Sequence, residues 1–82
     1  MTPHCKVYFK HFDYCIDDVV PCEMCGSKAV DIHHIHGRGK GKDTVSNLMA
    51  LCRKCHRKAH EKLHPGVVQA IHDGYLNGQT NY

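Results

Sequence analysis

Two Cys-x-x-Cys pairs, Cys22 with Cys25 and Cys52 with Cys55, constrain this 82-residue chain more than any other feature. Two residues between thiolates let a turn aim both sulfurs at one tetrahedral ion, at about 2.3 Å each. One pair alone is a weak signal, whereas two in so short a chain make a four-sulfur set. Redox dithiols of the thioredoxin kind sit beside a βαβ unit, for which there is no room here. Met1 to Lys6 shows no apolar run of the export-signal type, so the expected location is the reducing cytoplasm, where paired cysteines bind metal more often than they bridge. A structural Zn²⁺ on Cys22, Cys25, Cys52 and Cys55 is the expected staple, and chains below roughly 80 residues usually need one. Four thiolates leave no open position, so this ion holds the fold without reacting. Cys5 and Cys15 are expected to be inert apolar fillers.

The 26 residues between the pairs exceed the ~15–20 of a plain zinc ribbon, and the excess needs a purpose. Cys22-Glu23-Met24-Cys25-Gly26 reads as a tight turn. Ala29 to Ile35 alternates apolar and polar residues like a strand, and Asn47 to Leu51 makes a second. Between them, Gly37-Arg38-Gly39-Lys40-Gly41-Lys42 is a flexible cationic loop. Arg53 to Leu63 is rich in helix formers, stopped by Pro65-Gly66, and a final helix spans Val67 to Leu76 with Val67, Val68, Ile71 and Tyr75 on one face. Upstream, Tyr8, Phe12, Cys15 and Val19 have helical spacing, which predicts a short amphipathic helix within residues 6–20, ended by Pro21. Residues 78–82 read as frayed. No stretch reaches the ~20 apolar residues of a membrane span, so no membrane partner is expected. With no repeats and no long linker, residues 1–82 are expected to form one small α+β zinc-stabilised domain with its motif core at 22–60.

Nine histidines are many for this length. His56 and His60, four apart, share one helix face and can grip one ion. His33 and His34 are neighbours on a strand and point to opposite faces, so they are expected to serve different tasks. A third imidazole joined to His56 and His60 gives the three protein ligands of a centre with an open position. Cys52 and Cys55 tie the start of this helix to the turn that precedes the His33 strand, so the sulfur-bound ion brings strand and helix together. His4, His11, His36, His64 and His72 are read as solvated.

The net charge of +3 is too mild to identify a nucleic-acid partner, but its distribution is uneven. Arg38, Lys40, Lys42, Arg53, Lys54, Arg57, Lys58 and Lys62 face only Asp43 and Glu61 across residues 38–62. Asp13, Asp17, Asp18 and Glu23 make the first quarter mildly acidic.

The order His33-His34, Asn47, His56, His60 between two Cys-x-x-Cys pairs resembles the zinc-bearing branch of the HNH endonuclease family. The paired histidines with His56 and His60 are also similar to the active site of colicin-type nuclease toxins. The resemblance covers roughly residues 22–60. It implies a ββα-metal (His-Me finger) core, here with an extra N-terminal helix and a C-terminal helix. It further implies a DNA-cutting phosphodiester hydrolase with His34 as general base. His33, His56 and His60 would hold one divalent catalytic ion, and Asn47 would tie down the loop and orient His34. Products in this family carry 5′-phosphate and 3′-hydroxyl ends. Many relatives carry Asp at the position of His33; the imidazole makes the donor set softer, and Mg²⁺, Mn²⁺, Ni²⁺ and Zn²⁺ all remain open. Arg38, Lys40 and Lys42 are candidate phosphate contacts. With no separate reading head, low sequence specificity is expected. Two readings compete: a non-catalytic zinc module that binds nucleic acid or protein, and a nuclease acting on RNA. Cutting both strands requires a homodimer or two successive events, and the final helix would serve a dimer or the core.

Overall fold

The computed structural model describes residues 2–15 and 17–78. Its elements run α1 (Pro3–Phe12), β1 (Asp31–His34), one turn of 3-10 helix (Val45–Asn47), β2 (Leu48–Leu51), α2 (Arg53–Glu61) and α3 (Pro65–Gly78). This is a small α+β architecture with two antiparallel strands and three helices. No helix among the described residues is long and apolar enough to cross a membrane.

The strands pair Asp31 with Leu51, Ile32 with Ala50, His33 with Met49 and His34 with Leu48. A two-stranded sheet is marginal by itself, and here both faces are covered. On one face Met49 and Leu51 pack with Cys22, Cys55 and Ala59 of the turn and α2, and with Val68 of α3. On the other, Leu48 and Ala50 pack with Tyr8 of α1 and with Val20. Every residue of β2 is therefore buried, which explains why it reads as an unbroken apolar run. The register also decides that His33 shares the α2 side and His34 the α1 side.

The first helix differs from the expectation. Pro3 opens it, where a missing N–H costs nothing, and it ends at Asp13, whose φ of 59° is the left-handed cap conformation. The Tyr14 amide then bonds back to the Phe9 carbonyl at 2.8 Å. Beyond the cap, the Asp18 carboxylate accepts from the Cys15 amide at 2.7 Å, a local turn that competes with helix. Tyr8 and Phe12 share the helix face, but Cys15 and Val19 lie outside the helix and are exposed. Cys15 is thus no apolar filler; Cys5 is half-buried.

The turn at residues 22–26 is as expected, with Gly26 at φ 81° and its amide bonded to the Cys22 carbonyl at 2.9 Å. Pro65 does more than stop α2, because it is the first residue of α3. That helix buries Val68 and His72, whereas Val67 is 49% exposed, so the inward face is Val68, Ile71, His72 and Tyr75, without Val67. Gly78 belongs to α3, and residues 79–82 lie outside the described residues.

His72 overturns its reading as a solvated residue. It is fully buried, with Nδ1 2.6 Å from the Glu23 carboxylate and Nε2 2.6 Å from the Val45 carbonyl. A carbonyl can only accept, so Nε2 carries a proton. Burial alone pushes the His72 pKa down, but the hydrogen bond and charge of Glu23 outweigh it and the net shift is upward. Glu23, counted above only for its charge, has a buried side chain that also accepts from the Tyr8 hydroxyl at 2.6 Å and the Ala50 amide at 3.2 Å. One carboxylate thereby joins the sulfur turn, α1, β2 and α3.

Candidate metal centres and active site

Cys22 and Cys25 come from the tight turn, Cys52 is the N-cap of α2, and Cys55 lies in its first turn. Their four sulfurs all lie within 4.8 Å of one another. Cys25 Sγ and Cys52 Sγ are 3.6 Å apart, against about 3.8 Å for two ligands on a tetrahedral ion with bonds of about 2.3 Å. The electrostatics pull two of the four thiols in opposite directions. Hydrogen bonds from Ser27 and then from neighbouring cysteines bring Cys25 down to about 6, while burial and the adjacent thiols push Cys55 up to about 12. A divalent cation removes that conflict by favouring every thiolate. The donor set, spacing and closed geometry are those of a structural zinc site.

The second group is His33, His56 and His60, whose ligating nitrogens also lie within 4.8 Å of one another. The ring centroids are 4.9, 4.7 and 4.7 Å apart for the three pairs. His56 Nε2 and His60 Nε2 approach to 3.1 Å, close to the roughly 3.3 Å edge expected for nitrogens on one tetrahedral ion. His33 Nδ1 is a buried side-chain nitrogen with no hydrogen-bond partner, which is costly unless something else meets it. Burial first, then the neighbouring imidazoles, hold the His33 pKa down to about 4, so the ring is neutral and its lone pair available at pH 7. These residues fit a divalent ion.

Asp31 is a part of this centre that the sequence reading missed. Its carboxylate lies 2.9 Å from His56 Nδ1 and 3.3 Å from Arg53 Nε. By accepting the Nδ1 proton it leaves His56 Nε2 bare toward His60, the usual outer support of a metal-bound imidazole. The signal was present: Asp31 stands two residues before His33, on the same strand face.

His34, across the strand, is 8% exposed, and its Nε2 lies 2.8 Å from Asp43 Oδ1. The His4 ring stands edge-on to it at a centroid distance of 4.6 Å, so His4 is not a plain solvated residue either. Burial, then the charges of His34 and Arg38, lower the His4 pKa. Asn47 is buried. Its Oδ1 accepts from the His36 amide at 2.8 Å, and its Nδ2 donates to the Gly37 and Lys42 carbonyls at 3.2 and 2.9 Å. One amide thus pins both ends of the glycine-rich loop, while the Asn47 carbonyl receives the Ile35 amide at 2.9 Å. Gly37, at φ 87°, permits the reversal straight after His36.

A cleft of about 270 Å³ opens over the end of β1, lined by His33, His34, Gly37, Arg38, His56 and His60. Of the three loop cations, Arg38 reaches this cleft. Lys42 borders a neighbouring hollow with Asn47 and Gln69, and Lys40 is exposed. His11, His36 and His64 are exposed, as expected.

A family model described as HNH endonuclease matches residues 22–62, half of the chain. The chain belongs to the HNH endonuclease family. The matched span holds both cysteine pairs, His33, His34, Asn47, His56 and His60, so the HNH motif and the converging side chains coincide. It supports a nuclease-type function acting on nucleic acid. α1 and the whole of α3 lie outside it, and with them His4 and His72. No curated protein and no solved structure matches the chain significantly.

Proposed function

We propose that this HNH protein is a metal-dependent endonuclease that hydrolyses DNA phosphodiester bonds with little sequence preference, using His34 as general base. The observation that carries the reading is a cleft in which His34 meets His33, His56, His60 and Arg38. Asp43 accepts the Nε2 proton of His34, which leaves Nδ1 to take a proton from the water that attacks phosphorus. Imidazole is the side chain most often used for such a transfer at neutral pH. A divalent ion on His33, His56 and His60 would supply positive charge against a phosphate oxygen and the departing 3′ oxygen. Asn47 holds the loop on which Arg38 stands. Arg38, Lys40 and Lys42 act as backbone contacts, which give affinity without reading sequence. The four-thiolate site supports the frame and takes no part in the chemistry.

The test is nicking of supercoiled plasmid across Mg²⁺, Mn²⁺, Ni²⁺ and Zn²⁺, with an RNA of matched length in parallel. His34→Ala is expected to keep its circular dichroism and thiolate-bound zinc but to lose cleavage by at least ~100-fold. Undiminished cleavage by that variant removes His34 from its role, and faster RNA cleavage reassigns the substrate.

A further inference from the structure

Three side chains on the α1 side of β1 are left over by the proposed reaction or serve it from one direction only. His4 comes from the first turn of α1, His34 from the end of β1, and Asp43 from the loop before the 3-10 turn. One ligating atom of each lies within 4.8 Å of the others, the same closeness as in the two groups described above. We propose that His4, His34 and Asp43 form a third divalent-cation site, on the opposite face of β1 from His33, His56 and His60, and that an ion captured there silences the nuclease.

Two imidazoles and a carboxylate suit Zn²⁺, Ni²⁺, Co²⁺ or Mn²⁺, with positions left for water. His34 Nε2 and Asp43 Oδ1 stand 2.8 Å apart as a hydrogen-bonded pair. Ligands on one tetrahedral ion sit about 3.3 Å apart, so the pair opens by about half an ångström. Asp43 is exposed, so its carboxylate can move that far by side-chain rotation while Asn47 holds the loop backbone. Arg38 opposes the cation, but its side chain is exposed between Gly37 and Gly39 and can turn away.

The consequence follows from the tautomer. In the hydrogen-bonded state the single proton of a neutral His34 sits on Nε2, facing Asp43, and Nδ1 is the base. An ion on Nε2 takes that lone pair and displaces the proton to Nδ1, so the ring can no longer accept one there. The same event draws away the Asp43 carboxylate. Ion binding stands on the geometry alone; the silencing rests on the nuclease reading.

The experiment counts ions on the full chain during Zn²⁺ titration, with Co²⁺ spectra to separate thiolate from imidazole sites, and follows cleavage on the same samples. Wild type is expected to take up a third ion after the thiolate and three-histidine sites. His4→Ala and Asp43→Ala each fail to hold it, while their thiolate spectrum and circular dichroism stay native. Cleavage by wild type should rise and then fall with Zn²⁺, and the fall should move to at least about tenfold higher Zn²⁺ in His4→Ala. A wild type that saturates at two ions, or variants that keep the third, overturns the site. A third ion lost in both variants, but with no cleavage under any metal, upholds the site and overturns the nuclease reading instead.

Discussion

At His56 one ring nitrogen is committed to Asp31 and the other faces His60, so the carboxylate fixes a tautomer that the ring alone would leave undecided. Asp31→Ala is expected to weaken Mn²⁺ or Ni²⁺ binding at the three-histidine site by about 10–100-fold, read by calorimetry, with thiolate-bound zinc unchanged. Unaltered affinity would show that Asp31 merely pairs with Arg53, an exposed contact worth little. His33 makes a separate prediction through pH. Its folded pKa of about 4 lies below its ordinary 6.5, so between those values the unfolded chain binds the extra proton. Stability of the protein with its histidine site empty therefore falls as pH drops from about 6.5 toward 4. His33→Phe should lessen the slope measured by denaturant melts over that window.

Among the elements, the decisive coupling is the Glu23–His72 pair, because it joins four segments with no shared sequence neighbourhood. Removing one partner of a buried pair strands the other, at about 3–5 kcal/mol. His72→Ala is expected to lower stability by that order in urea unfolding of the zinc-loaded protein. The pH dependence runs opposite to that of His33. The folded pKa of His72 is raised, so its contribution is complete below about 6.5 and is lost as pH climbs through the raised value. The melting temperature should decline on the alkaline side in wild type. That limb should flatten in His72→Gln, and an equally steep limb there would assign it to other groups.

For the whole molecule, two small apolar clusters on either side of a two-stranded sheet make a thin core. Structural zinc contributes about 10–16 kcal/mol in small domains, comparable to or larger than the 5–15 kcal/mol net stability of a typical domain. Stripping the thiolate site with a strong chelator is expected to unfold all helices together, seen as one loss of ellipticity. Emptying only the histidine site should leave the spectrum intact. Survival of native ellipticity without zinc would shift the credit to the Glu23–His72–Tyr8 network.

Spacing carried much of this into the sequence. The interval of two between cysteines, the interval of four between His56 and His60, and the strand alternation separating His33 from His34 are local periodicities, and local periodicity survives without a fold. The second strand, the sulfur turn and α2 were legible for the same reason. What the sequence could not hold was any relation between distant residues. Tyr8, Glu23 and His72 are unremarkable one by one, and only folding puts a phenol, a carboxylate and an imidazole within 2.6 Å contacts inside the core. The end of α1 at Asp13 was hidden because an apolar repeat continues past a cap set by one backbone angle. His4 and Asp43 became partners of His34 because α1 covers one face of a sheet whose other face holds the three-histidine centre. Which ring meets which is a property of packing, and packing is written in no single stretch of chain.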